Sequence, residues 1–477
     1  MDSGSPTRRE LLIGSFAALT ISGSACAQSQ PRSIDDFFRD FTADWVRHDP
    51  SLAVRAHYFE GDEQDRFARE ITPDTRESNL DVIARARKGL AELRKFDRTR
   101  MTPVQRISAE LLDWQLDIRI QAEPFLDYAY PLQQMNGANI NLVEYMTVTY
   151  PVATEKDAEN YLAALAKVAP RLDEATAEAK RIAAKKIVPP RFILDATVTQ
   201  MQSFADSSPA QNPFVTAYDD KLAAIKSLSP DRRAALRNEA AKIVQSQIYP
   251  AWKRGAALLE SQKAGATNDA GLWRLKGGDE AYAYSLRRFT TTNKSANEIH
   301  QIGLDRVKSL ESDMDAMFRK INMTQGSVKE RVAKLSDEMR YTNPASEASR
   351  AQIMRDIDGI LADAHQRAQS LFDMQPKSPV VARAFPAFRE KNAAANYNSP
   401  PPDLSRPGVF QYPRRIEKMT KFGLRSTVYH ETIPGHHFQV ALEVENKNIP
   451  RFRQSRAFGT ISAFVEGWGL YAERLAL

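Results

Sequence analysis

Ser33-Ile34-Asp35-Asp36-Phe37-Phe38-Arg39-Asp40-Phe41-Thr42-Ala43-Asp44-Trp45 opens the stretch in which the fold is legible. Phe37, Phe38, Phe41 and Trp45 recur at three- and four-residue spacing, which stacks their rings on one face of a helix, and Ser33 offers an N-cap oxygen ahead of them. The run ends near Asp49-Pro50, where the proline removes a backbone donor. Similar amphipathic runs follow at about 75–95, 103–120, 155–182, 229–260, 293–320 and 347–373, with Pro170, Pro189-Pro190, Pro213 and Pro250 as punctuation. Few stretches alternate with period two, which argues against an all-β or doubly wound fold. The expectation is a mainly α chain of long helices with minor β.

The pattern changes between Phe385 and Pro413. Asn396-Tyr397-Asn398-Ser399-Pro400-Pro401-Pro402 and Ser405-Arg406-Pro407-Gly408 forbid regular helix. Val409-Phe410-Gln411-Tyr412 has the composition of a short strand. It reads either as part of a packed loop or as an edge strand that would hold extended substrate by main-chain hydrogen bonds.

Residues 1–27 read as an address label. Arg8-Arg9 precede the apolar run Leu11 to Leu19, and Ala25-Cys26-Ala27 supplies small residues for cleavage. The form Thr7-Arg8-Arg9-Glu10-Leu11-Leu12 resembles a twin-arginine export signal, and the run is too short for a transmembrane span of about 20 apolar residues. The expected destination is the periplasm. Cys26 is the only cysteine and lies inside this label, so the mature chain, residues 28–477, has no disulfide. Gly23-Ser24-Ala25-Cys26 partly resembles a lipoprotein box, which makes a lipid anchor at Cys26 and a membrane-attached protein the alternative.

Composition narrows the partners. The 66 basic and 60 acidic residues are interleaved without dense blocks, so the net charge of +6 gives no nucleic-acid footprint. Oligomeric state leaves no mark in the sequence.

The chemistry concentrates near the carboxy terminus. Of seven histidines, three fall within His430-Glu431-Thr432-Ile433-Pro434-Gly435-His436-His437. The usual HExxH zinc motif sets two histidines four apart on one helical face with a glutamate base beside the first. Here Pro434 and Gly435 intervene, and in an unbroken helix neither His436 nor His437 would share one small ion with His430. Pro434 must break or kink the helix, because its ring clashes with the carbonyl of His430, and Gly435 is expected to permit the unusual backbone. A second histidine then swings back. Geometry leaves both candidates open, and His436 is preferred to His437. For the third ligand, Glu466 lies amid Phe464, Val465 and Trp468, where a carboxylate is costly to bury unless paired or metal-bound. Glu473, seven residues on and beside Arg474, reads as an ordinary surface ion pair.

HETIPGHHFQ at 430–439 and FVEGWGLYAE at 464–473 together resemble the HExxPGHHxQ and EGWAxYxE signatures of the bacterial family known as domain of unknown function 885, regarded as gluzincin-like zinc peptidases. Gly277-Gly278-Asp279-Glu280-Ala281-Tyr282, the segment Ser295 to Leu304 and the loop from Tyr397 to Phe410 extend the match over nearly the whole mature chain. The resemblance implies a helical fold related to oligopeptidase and carboxypeptidase metalloenzymes, a catalytic core at about 385–477, and zinc held by His430, a later histidine and Glu466. The family continues beyond its EGW helix. This chain stops at Leu477 within an amphipathic run, so a carboxy-terminal part is expected to be missing and the chain to hold Glu466 less firmly than an extended form.

The function expected on these grounds is zinc-dependent hydrolysis of small peptides: the metal polarises the carbonyl and acidifies water, and Glu431 is the general base. His437, Tyr412 or Tyr471 would stabilise the oxyanion or merely pack, and Gln439 would orient a ligand. The histidines at 48, 57, 300 and 365 read as ordinary. Rival readings are a non-catalytic helical binding protein, an impaired enzyme, and a zinc amidase or esterase. Replacing Arg8-Arg9 by Lys-Lys should strand the protein in the cytoplasm, because export machinery and not the fold reads the pair; fractionation showing unchanged export would assign the segment to another route.

Overall fold

Polar caps start the helices. Thr75, Thr102, Thr154 and Ser295 each accept from the amide three residues on, and the side chain there reaches back to the cap amide, so two otherwise orphaned donors are satisfied at each start. In the computed structural model, residues 32–341, 346–385, 394–413 and 419–476 are described. The chain divides into two units, Met1–Ser33 and Ile34–Leu477. The label at 1–27, with Arg8, Arg9 and Cys26, lies outside the described residues.

The second unit is mainly helical. Its longer helices are α1 (Ile34–Arg47), α2 (Arg76–Leu93), α3 (Pro103–Ile120), α4 (Glu155–Ala183), α5 (Arg191–Ala205), α6 (Pro213–Ala223), α7 (Pro230–Ile243) and α8 (Tyr249–Gln262). There follow α9 (Gly278–Thr290), α10 (Ala296–Lys320), α11 (Val328–Glu338), α12 (Glu347–Leu371), α13 (Lys421–Glu431), α14 (His436–Glu445) and α15 (Ser462–Leu475). The runs read from periodicity appear as α1, α2, α3, α4, α10 and α12 with small shifts at their ends.

Two of the expected breaks do not occur. Pro170 sits inside α4 without ending it. It faces solvent, and Ala166, whose carbonyl it orphans, is a partly exposed residue, while Leu165, Val168 and Leu172 are buried and hold the helix. Pro250 lies in the first turn of α8, directly after a π turn at Val244–Ile248 that continues from α7. The wider turn absorbs the missing donor, so the run at 229–260 stays helical throughout. Pro190 and Pro213 do mark helix starts.

α1 seats its aromatic face in the main core, which also contains buried residues from α2 through α8 and, from far along the chain, Phe452, Ala457 and Phe458. Phe38 packs on Phe452 with ring centres 5.4 Å apart, and Phe458 lies 5.5 Å from Phe41 and 4.8 Å from Trp45. Gln115 of α3 donates to the Gly459 carbonyl at 3.0 Å. The connection between α14 and α15 is thereby riveted to the amino-terminal helices.

A second cluster joins Ile353 and Ile357 of α12 to Leu424 and Val428 of α13 and to Phe410 and Tyr412. These last two belong to a small sheet, β1 (Val380–Ala384), β2 (Asn396–Asn398) and β3 (Gly408–Tyr412), in the order β1-β3-β2. β3 pairs parallel with β1 and antiparallel with β2. Val409 to Tyr412 therefore form a strand and not a loop, but a central one with both edges taken and every residue buried. That placement overturns the edge-strand reading, since β1 takes one side of β3 along its length and β2 takes the other over Val409–Gln411. At the far end of α14, Glu445 accepts from the amides of Lys377 and Ser378 at 2.8–2.9 Å and ties that helix to the start of β1.

Phe452→Ala should lower stability by about 3–5 kcal/mol, the usual cost of emptying a fully packed aromatic site. Urea denaturation measures it, and a loss under about 1 kcal/mol would mean that the 452–458 segment is not anchored as described.

Candidate metal centre

His430 and Glu431 occupy the last turn of α13, the chain breaks at Thr432–Gly435, and His436 begins α14. The break falls where Pro434 predicts it. Gly435 serves it as expected and for a second reason: with φ −80° and ψ −131° its backbone is neither helical nor extended, and a Cβ there would lie 1.9 Å from the His430 carbonyl oxygen and 2.3 Å from that of Tyr429. The close approach of backbone to backbone leaves room only for glycine. Trp468 of α15 locks the turn from outside, donating from Nε1 to the carbonyls of Pro434 at 2.9 Å and Gly435 at 3.2 Å.

The turn swings His436 back over His430, and the two rings meet nearly perpendicular with centres 4.6 Å apart. One oxygen of Glu466 lies 3.3 Å from His430 Nε2 and 3.6 Å from His436 Nε2. One ligand atom from each of the three residues falls within a mutual 4.8 Å. Two ligands held at about 2.0–2.1 Å by a tetrahedral zinc sit about 3.3–3.4 Å apart, so these spacings suit such an ion, as do two imidazole nitrogens and one carboxylate oxygen. His436 Nδ1 is buried and has no hydrogen-bond partner among the described residues. Glu466 is not buried as expected: its side chain is 56% exposed and neighbouring Phe464 is 64% exposed. Its carboxylate needs no metal to offset burial, and its relevance rests on where it points.

Glu473 is the residue that the sequence reading misplaced. It is no surface partner of Arg474. One oxygen receives His430 Nδ1 at 2.7 Å and the other accepts from Ser426 Oγ at 2.7 Å. This fixes the ring, puts the Nδ1 proton toward the carboxylate and leaves Nε2 free to face Glu466, an arrangement found behind metal-ligating histidines generally. Between the two glutamates, Gly469 is buried against the same ring, and a Cβ there would lie 2.6 Å from His430 Cε1. Glu466, Gly469 and Glu473 are thus one face of α15 at spacings of three and four, all directed at His430. The seven-residue spacing of the glutamates was the available signal.

Glu431 is buried beside the cluster, and its carboxyl is pushed up to about 7, first by that burial and then by Glu466 and Glu473, against an opposing effect of His430. A carboxyl poised there can both take and release a proton near neutral pH. Burial lowers the His436 pKa, with His430 adding to it.

The remaining candidates sit apart from this chemistry. His437 is fully buried with both ring nitrogens engaged, Nδ1 with the Tyr397 hydroxyl at 3.0 Å and Nε2 with the Ser378 carbonyl at 3.0 Å, and burial pushes its pKa down to about 4. That geometry pins α14 to the sheet region and leaves neither nitrogen for a metal or an oxyanion. Tyr412 is buried in the α12–α13 cluster beside Phe410. Tyr471 is 55% exposed and leans on Trp468. Gln439 reaches the Phe464 carbonyl at 3.5 Å, across to the start of α15.

A family model described as "Bacterial protein of unknown function (DUF885)" matches residues 55–477. Among solved structures, one described as "the putative lipoprotein from Colwellia psychrerythraea" superposes with a TM-score of 0.85 at 22% identity, covering 94% of this chain and 78% of that one. Another, "a putative lipoprotein of unknown function from Shewanella oneidensis", gives 0.57 at 17% identity, covering 93% and 77%. At these identities the likeness is one of fold. No curated protein matches the chain.

Gly469→Ala and Glu473→Ala should each weaken divalent-metal binding about 10- to 100-fold, the usual effect of disturbing the groups that orient a ligand, without unfolding the chain. Competition against a chromophoric chelator measures it; wild-type affinity in both variants would mean that the His430 ring needs no such support.

Proposed function

The chain belongs to the bacterial DUF885 family, and from that premise and the His430–His436–Glu466 cluster we propose that it is a zinc-dependent hydrolase acting on peptide bonds. The observation that carries the reading is the buried Glu431 carboxyl beside two imidazoles and a carboxylate that converge within the reach of one ion. His430 and His436, through Nε2, and Glu466, through one carboxylate oxygen, would hold the metal. Three protein ligands leave a position open, as catalytic and not structural zinc sites do. Zinc supplies Lewis acidity toward a carbonyl oxygen and toward water.

The protein's own groups do the rest. Glu473 keeps the His430 proton on Nδ1 and the ring aligned. Trp468 and Gly435 hold the turn that sets the distance between the two histidines. Glu431 takes the proton of the attacking water on its carboxylate oxygen and passes it to the leaving amine, a role that suits a carboxyl held near neutrality. Peptides as substrates follow from the motif resemblance at 430–439 and 464–473 and not from the donor set, which would serve other acyl bonds equally. An exported location, periplasmic or lipid-anchored, is supported by the amino-terminal label and by the description of both structural relatives as lipoproteins. Among the described residues no helix is long and apolar enough to cross a membrane.

Elemental analysis of the unchelated protein should find one zinc per chain, and His430→Ala should abolish it. Glu431→Gln should keep the metal and lose at least about a hundredfold in turnover on a peptide library followed by mass spectrometry. A chain without stoichiometric metal, or a Glu431→Gln variant of full activity, would sink the reading.

A further inference from the structure

Glu466 lines a cavity of about 920 Å³ that reaches past Phe458, Gly459 and Thr460 to the ends of α3 and α9. Its size lies at the upper end of the roughly 300–1,000 Å³ common for small-molecule sites. Its wall is rich in charge, and most of that charge is internally balanced. Asp127 is bound by Arg76 at 3.2 Å, Arg181 at 2.7 Å and Lys185 at 2.6 Å, and Arg181 also holds Glu178 at 2.8 Å. Asp74 accepts from Asn79 at 2.9 Å.

Two cations remain outside this balance. Arg119, in the last turn of α3, makes one long hydrogen bond of 3.4 Å to the Phe458 carbonyl and stands 5.7 Å from the Trp45 ring centre. Most of its donors are unused. Arg288, near the end of α9, makes only a cation–π contact with the neighbouring Phe289. Neither is in ion-pair contact with a carboxylate among the described residues, and Asp49 acts on Arg119 only as the least of the influences on its pKa. Both arginines line the same cavity; burial lowers the Arg119 pKa and repulsion from Arg288 adds to it, against smaller opposing effects of Tyr284 and Asp49. Arg119 is the more buried of the two whereas Arg288 is exposed at the rim, so the cost of the unpaired charge falls on Arg119, and a bound anion reduces it. A purely structural Arg119, stapling the 458–460 segment to α3, would need neither Arg288 beside it nor unused donors facing a cavity.

We propose that Arg119 and Arg288 form the subsite of this cavity that binds a carboxylate of the substrate. The chemistry is that of a planar, forked donor for a planar acceptor. Glu466 lies on another part of the same wall, so a peptide whose carboxylate is held by the arginines can extend along the cavity toward the candidate metal ligands. That the ligand is a peptide rests on the hydrolase reading above; that it bears a carboxylate there rests on the arginines alone. The carboxylate is either the peptide's own terminus or an acidic side chain.

Calorimetric titration of the chelator-treated mature protein, in which nothing is cleaved and no ion can itself take the carboxylate, separates these. The probes are N-acetyl-trialanine with a free terminus, the same peptide amidated, and amidated N-acetyl-Ala-Glu-Ala. At least one carboxylate-bearing probe should bind about tenfold or more tightly than the neutral amide, and whichever does so identifies the source. Arg119→Gln and Arg288→Gln should each erase most of that preference, with Arg119→Lys intermediate. Equal binding of all three probes, no binding of any, or a preference that survives in both glutamine variants would overturn the proposal. Absence of zinc or of hydrolysis, with the preference intact, would count against the hydrolase reading and leave this one standing.

Discussion

The His430 imidazole is held from three sides, and the candidate site depends on that grip. Glu473 fixes one nitrogen, Glu466 faces the other, and Gly469 lets the ring lie against α15. None of these would coincide if α13 ran on through Pro434, because His436 would then turn away from His430. A break in one helix and an unbroken face on another are therefore a single device: the first brings the histidines together and the second sets the carboxylates around them. The main core enters the same device through Phe452 and Phe458, which fix the segment leading into α15 against α1.

Crowding three carboxyl groups around two imidazoles has an electrostatic cost that the protein manages by geometry. Glu473 is neutralised in part by Ser426 and the His430 N–H, Glu466 keeps more than half its surface in water, and Glu431, which is buried, is the one pushed toward the neutral form. The carboxyl with the perturbed proton affinity is the one next to the first histidine, where a base would be needed.

How much of this the sequence disclosed follows from the range of each interaction. Helices were legible because caps and apolar spacing are local, as the boxes at Thr75, Thr102 and Thr154 show. Pro170 and Pro250 misled because packing and a π turn override a missing donor, and neither is visible in a short window. The His430–His436–Glu466 grouping could be read because the proline forces the break and few other acids lie nearby. Its electrostatic basis could not: the apolar neighbours of Glu466 predict burial and it is exposed, whereas Arg474 predicts a surface pair for Glu473 and that residue is oriented on His430. His437 looked as available as His436 until Tyr397 and Ser378, distant in sequence, claimed its two nitrogens. β3 looked like a free edge because its neighbours, β1 and β2, are too short to announce themselves.

The rivet between α1 and the 452–458 segment has a consequence for the life of the chain before it is folded. Phe38 and Phe452 stand more than four hundred residues apart, so the aromatic face of α1 is made long before its cover. Loop-closure entropy grows only slowly with length, so the finished protein bears little penalty for the arrangement. The nascent chain bears more: until the late segment emerges, Phe38, Phe41 and Trp45 lack part of their cover, a state prone to self-association and in need of a chaperone's shelter.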